Sequence, residues 1–170
     1  MRIIEKPNQN EYGAYFQPYM DLVNEPALEA MAKALKELED FHKLIDESKS
    51  TYRYAEGKWS VNEVLLHLVD CERIFNYRAL SFSRGELEVP GFDHDLYVTH
   101  SHADERTVAD IFAEYAKVRA ASLALFASFN EQHLNTMGKA NGNPISVRAL
   151  GFLITGHQRH HLNVIKERYL

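Results

Sequence analysis

The feature that most constrains the fold is a recurrence of apolar side chains at alternating spacings of three and four residues. It fills four separate stretches of about 20 residues, and no convincing strand alternation lies between them. Residues 26–47 place Leu28, Met31, Leu35, Leu38 and Ile45 on one stripe, with His42 in its remaining slot. The second stretch opens at Ser60 and Glu63, a pair that predicts a capping box. It runs through Val64, Leu65, Leu68, Cys71, Phe75 and Phe82 to a stop at Gly85. The third starts near Thr107, which can cap with Asp110, and carries Val108, Ile111, Phe112, Tyr115, Val118, Leu125 and Phe129. Gly138 and the sequence NGNP mark a loop. The fourth follows Pro144, is capped by Ser146, and sets Leu150, Ile154, His157, His161 and Ile165 on one face. An amphipathic helix cannot bury its stripe alone, so the pattern predicts an all-α protein, a four-helix bundle.

A chain of 170 residues with 45% hydrophobic content is the size of one domain that buries its own core. We expect a single domain over residues 1–170, with the bundle at 26–170 and an N-terminal arm at 1–25. The arm, carrying Tyr12, Tyr15, Phe16 and Tyr19, is expected to pack on the outside. The connection 86–105 between the second and third helices is too long for a turn. It contains PGFDHDLYVTHSH, and we expect it to cover one end of the bundle. The net charge of −5 is mild and the basic residues are scattered, which argues against nucleic acid as a partner. No stretch has the roughly 20 uncharged apolar residues that a membrane span needs. The first residues lack the apolar core of a signal peptide, and the one cysteine, Cys71, suits a reducing compartment. The expected location is the cytoplasm.

The chemistry-bearing feature is the sequence GHQRHH near the C-terminus. His157 and His161 are four apart, so they stand one above the other on a helix and can share one metal ion. An unpartnered imidazole on a buried stripe is costly; two of them one turn apart need either two separate hydrogen-bond partners or one shared cation. His160 is rotated by about 100° from His161 and points elsewhere. A third ligand must come from another helix. His67 interrupts the apolar run EVLLHLVDCERIF and is the best placed, although a single such residue is ordinarily a satisfied core histidine. His42 is its rival, near a helix C-terminus where imidazole serves carbonyls and the dipole. Cys71, one turn beyond His67, is a thiolate ligand in principle and more commonly a small apolar side chain. His94, His100 and His102 lie in the long connection, where histidines are ordinarily solvated. Asp70 is the acid placed to orient a ligand or accept a proton, and we take it as the candidate catalytic residue. Glu72 reads equally well as a surface acid paired with Arg73. Trp59 reads as a packing residue. Arg148 and Arg159 fit either a substrate carboxylate or ordinary solvated arginine.

The segments GKWSVNEVLLHLVDCERIFNYRAL, VPGFDHDLYV and VRALGFLITGHQRHHLNVIKERYL resemble the DinB superfamily, in its YfiT-like metalloenzyme branch, over nearly the whole chain. The resemblance implies a four-helix bundle, a homodimer in many members, and a divalent ion, commonly nickel or zinc, held by three histidines. By position these are His67, His157 and His161. Members of the family include thiol S-transferases and a thiol-dependent isomerase. Three neutral imidazoles leave the ion's double charge intact and coordination positions open, which lowers the pKa of a bound water or thiol. Two classes of function follow. One is a metal-dependent enzyme acting on a small-molecule substrate, for which we expect transfer of a low-molecular-weight thiol to an electrophile, with action as a hydrolase the alternative. The other is a non-catalytic metal-binding stress-response protein.

Overall fold

Side-chain caps start three of the four long helices in the computed structural model, which describes residues 3–170. The order of elements is α1 (Gln17–Met20), α2 (Ala27–His42), α3 (Val61–Ser83), β1 (Glu88–Val89), α4 (His94–Thr99), α5 (Val108–Ser128), α6 (Glu131–Leu134), β2 (Met137–Ala140), β3 (Asn143–Ser146) and α7 (Val147–Arg168). Ser60 Oγ accepts from Glu63 N–H at 3.0 Å, and Glu63 Oε2 accepts from Ser60 N–H at 2.7 Å, the capping box expected for α3. Thr107 and Ser146 cap α5 and α7 in the same way. The first long helix ends at His42, short of the expected residue 47. Asp46 there accepts from Ser48 N–H at 2.9 Å and starts a separate 3₁₀ turn, a local side-chain bond that competes with helix continuation.

The four long helices form a ring in the order α2, α5, α3, α7, each packed on the next. Their register is pinned by a polar network inside the ring. Arg119 of α5 makes a two-pronged ion pair with Glu72 of α3 at 2.8 and 2.7 Å. It also donates to Gln158 Oε1 of α7 and to the Met31 carbonyl of α2. Gln158 donates in turn to the Ala34 carbonyl. Glu72 is 1% exposed, so the reading of it as a surface acid beside Arg73 is corrected: its partner is 47 positions away in sequence.

Two further expectations are corrected. The stretch around NGNP is a hairpin of β2 and β3, and β1 pairs parallel to β2, giving a three-stranded sheet beside the bundle. The turn residues Asn141 and Gly142 both have positive φ, 52° and 75°, the backbone that a two-residue hairpin turn with right-handed twist needs. The N-terminal arm is not merely packed on the outside: one side of it enters the core, while Ile3 and Tyr15 stay exposed. Ile4, Tyr12, Phe16, Met20 and Val23 are all buried in the core, and Tyr12 bridges to Ile145 of the hairpin. Residues 1–2 of the arm lie outside the described residues. No helix among the described residues is long and apolar enough to cross a membrane.

Candidate metal centre

α3 and α7 pack directly against each other, and this brings together the imidazoles that each helix carries on its inward face. The ring centroids of His67, His157 and His161 are 5.2 Å (67 to 157), 5.0 Å (67 to 161) and 4.5 Å (157 to 161) apart. The Nε2 atoms of His157 and His161 are 3.1 Å apart, so either one donates to the other or both lone pairs face a common point. Burial pushes His67 down to about 3 and His161 down to about 4, and holds His157 well below its usual range; the neighbouring imidazoles push each further in the same direction. All three are therefore neutral at pH 7, the protonation state in which imidazole ligates a metal.

Cys71, one turn along α3, has its sulfur 3.4 and 3.6 Å from the two ring nitrogens of His67. Among the described residues, His67, Cys71 and His157 are the trio whose donor atoms all lie within 4.8 Å of one another and that could hold a metal ion. Burial raises the Cys71 thiol well above its usual range, so without a metal it is protonated. The chemistry of the donor set fits a divalent cation: neutral nitrogen donors, with a soft sulfur behind them and no carboxylate among them.

The connection 86–105 folds over this cluster. Trp59 packs on His67, with ring centroids 4.8 Å apart, and its indole N–H donates to Asp95 of α4 at 3.1 Å. His94, the first residue of α4, stands 5.3 Å from His67. All three connection histidines expected to be solvated are exposed, although His94 also reaches the edge of the cluster. His42 stacks on Phe112, with ring centroids 4.7 Å apart, and takes no part in the cluster. His160 lies at its edge, against Tyr19. Asp70 is half-buried, and burial raises its carboxyl above the usual range. Its partner is Arg73 at 3.5 Å, and it lines a separate shallow cavity with Tyr97 and His100. Arg159 is taken up by Glu25 and Glu37, and Arg148 by Glu11 and Glu131, so both serve the fold.

A cavity of about 330 Å³ opens beside His157, lined among others by Tyr19, Phe75, Arg78, Phe92 and Asn141. A larger open groove of about 550 Å³ between α2 and α7 contains no histidine. Arg78 and Phe92 were not singled out in the sequence. The available signal for Arg78 was its spacing from His67, Cys71 and Phe75, which puts all four on one face of α3.

Fold and site together define a four-helix bundle with an inward-facing histidine cluster in which His67, Cys71 and His157 could hold a metal ion. The chain belongs to the DinB superfamily, whose family model matches residues 27–165. Among solved structures it is similar to YfiT from Bacillus subtilis, a probable metal-dependent hydrolase with an unusual four-helix bundle topology. That match has a TM-score of 0.76 at 16% identity and covers 96% of this chain and 90% of that one. It is also similar to the DinB-like protein YjoA from Bacillus subtilis, with a TM-score of 0.56 at 19% identity, covering 83% of this chain and 90% of that one. No curated protein matches the chain.

Proposed function

We propose that this protein is a divalent-metal-dependent enzyme acting on a small molecule, with His67, His157 and His161 as ligands and zinc or nickel as the ion. The observation that carries the reading is the convergence of three neutral imidazoles from two helices, His67 and His157 buried and His161 half-buried, with His157 at the wall of an aromatic-lined cavity. A divalent ion held there would supply Lewis acidity, easing loss of a proton from a small nucleophile at neutral pH. The chain's own groups bind and orient. Phe75, Phe92 and Tyr19 line the approach and keep water from it, while the Trp59–Asp95 hydrogen bond fastens α4 over His67. His94 is the imidazole outside the triad placed to take or return a proton at a ring nitrogen. Asp70 is assigned a positioning role, holding the α3 turn that carries His67 through its pairing with Arg73.

Hydrolysis of an ester or amide is the first reading, because YfiT, whose fold this chain shares, is described as a probable metal-dependent hydrolase. Transfer of a low-molecular-weight thiol to an electrophile would use the same arrangement, and the room beside His157 admits such a co-substrate. The test is to load the protein with zinc or nickel and screen simple esters and amides. A parallel screen offers common thiols with a chlorinated aromatic electrophile. Metal-dependent turnover that vanishes in His161→Ala is expected, and the arm in which it appears assigns the reaction. Tight metal binding with no turnover in either arm would instead make this a metal-binding protein without catalysis. His157→Ala should lower metal stoichiometry to near zero, and unchanged metal content would overturn the site. Loss of metal in Cys71→Ala with retention in His161→Ala would reassign the third ligand. Asp70→Asn should leave metal content unchanged while lowering turnover. We place the protein in the cytoplasm as a homodimer.

A further inference from the structure

We propose that Arg78 is the anchor for an anionic group in the cavity beside His157, and that the small molecule taken there carries a carboxylate. The identity of the reacting end rests on the metal-centre reading above; the anchor itself rests on Arg78. Its side chain is buried, 6% exposed, yet its Nε has no hydrogen-bond acceptor. One terminal nitrogen donates to the Pro90 carbonyl, and at 3.3 Å that bond is long. Among the described residues no carboxylate lies within ion-pair distance of Arg78, although the chain carries 24 acidic residues against 19 basic ones. The other inward-facing arginines are all matched: Arg119 by Glu72, Arg159 by Glu25 and Glu37, Arg148 by Glu11 and Glu131. A guanidinium offers five donors, and burying its charge without a counter-charge is costly, a cost that an entering anion offsets.

Position gives the anchor its meaning. His67, Cys71, Phe75 and Arg78 follow one face of α3, with Arg78 about 16 Å along the axis from His67. Side chains on a helix lean towards its N-terminus, so the Arg78 head is carried back towards the histidines. Arg78 and His157 line the same cavity of about 330 Å³, with Phe75, Phe92 and Tyr19 between polar ends. A molecule with its carboxylate on Arg78 and an apolar body among these rings would present its other end to the imidazoles. The free Nε edge of a planar guanidinium matches a planar two-oxygen acceptor. One uncompensated cation balances the single charge of a carboxylate, whereas a phosphate monoester would bring about −1.5 to −2.

Benzoate is the probe, with benzamide as its neutral counterpart, each titrated calorimetrically into zinc-loaded protein. Benzoate should bind at least about tenfold more tightly than benzamide, and Arg78→Met should abolish that difference by weakening benzoate alone. The variant removes an unpaired buried charge, so its melting temperature should equal or exceed that of the wild type, with zinc content unchanged. Arg78→Lys keeps the charge without the planar fork and should fall between the two. The same titration on metal-free protein separates this proposal from the metal-centre reading: benzoate binding that survives metal removal but not Arg78→Met supports the anchor whatever becomes of the ion. Binding lost on metal removal yet unchanged in Arg78→Met and Arg78→Lys would put the carboxylate on the metal and overturn the proposal. Equal affinity for benzamide, or no binding of benzoate to the wild type, would overturn it too.

Discussion

Gly156 sits in α7 immediately before His157, and the backbone carbonyl of Tyr19 passes so close that an added Cβ would collide with it. Because backbone cannot swing aside as a flexible side chain can, Gly156→Ala should push α1 from α7 and cost about 1–3 kcal/mol. Urea melts would register this, and an unchanged midpoint would show that the approach is relaxed in solution. Glu25 gives a pH prediction. Its carboxylate accepts from Arg159 and Lys33, which hold its pKa well below the usual carboxylate range. A carboxyl whose folded pKa is depressed contributes stability that is present above the unfolded value, near 4.3, and lost as pH falls towards the folded one. Glu25→Gln should therefore cost about 1–2 kcal/mol at neutral pH and progressively less as pH falls from about 4 to 2. Denaturation midpoints across that range would check it, and a pH-independent difference would contradict the charged pairing.

Helix caps and the interior network set how the elements meet. Ser60 is fully buried at the start of α3, caps Glu63 N–H, and also donates to Asp104 of the connection at 2.5 Å. Ser60→Ala should cost about 1–2 kcal/mol and loosen the connection over the histidines, which faster hydrogen exchange in residues 94–105 would report. Glu72→Ala leaves Arg119 buried without its counter-charge, and a loss of about 3–5 kcal/mol is expected. Only the change in unfolding free energy is needed to test this, and a loss below about 1 kcal/mol would mean that Gln158 and the Met31 carbonyl suffice for Arg119.

For the molecule as a whole, a bound ion would act as a ligand of the folded state alone. At a free concentration of about 100 times the dissociation constant it adds about 2.7 kcal/mol, so chelation should lower the melting temperature of the wild type and not of His157→Ala. Equal melting with and without chelator would count against a tight site. The proposed homodimer has exposed apolar side chains available on α3, among them Tyr77 and Leu80. Light scattering should then return twice the 19.6 kDa of one chain, and the single-chain mass would refute the dimer.

The long helices, three of their N-terminal caps, and the inward faces that carry His67, His157 and His161 were legible in the amino-acid sequence. Those features act within one helical turn: a hydroxyl reaches a backbone N–H three residues on, and side chains four apart share a face. Which faces meet, and therefore which charges find partners, depends on contacts between residues far apart in the chain. Glu72 pairs with Arg119 across the bundle and not with adjacent Arg73, Arg159 is claimed by Glu25 and Glu37, and among the described residues Arg78 is left with its Nε unpartnered. The hairpin was hidden because the residues flanking Asn141 and Gly142 alternate too weakly to announce strands. Their pairing is held by the buried arm through Tyr12 and Ile145. His94 likewise looks like a loop residue until Trp59 and Asp95 draw α4 over His67. Local rules read a residue's neighbours in the chain, whereas burial without a partner depends on every element that packs around it, and it is that packing which left the guanidinium of Arg78 facing the cavity.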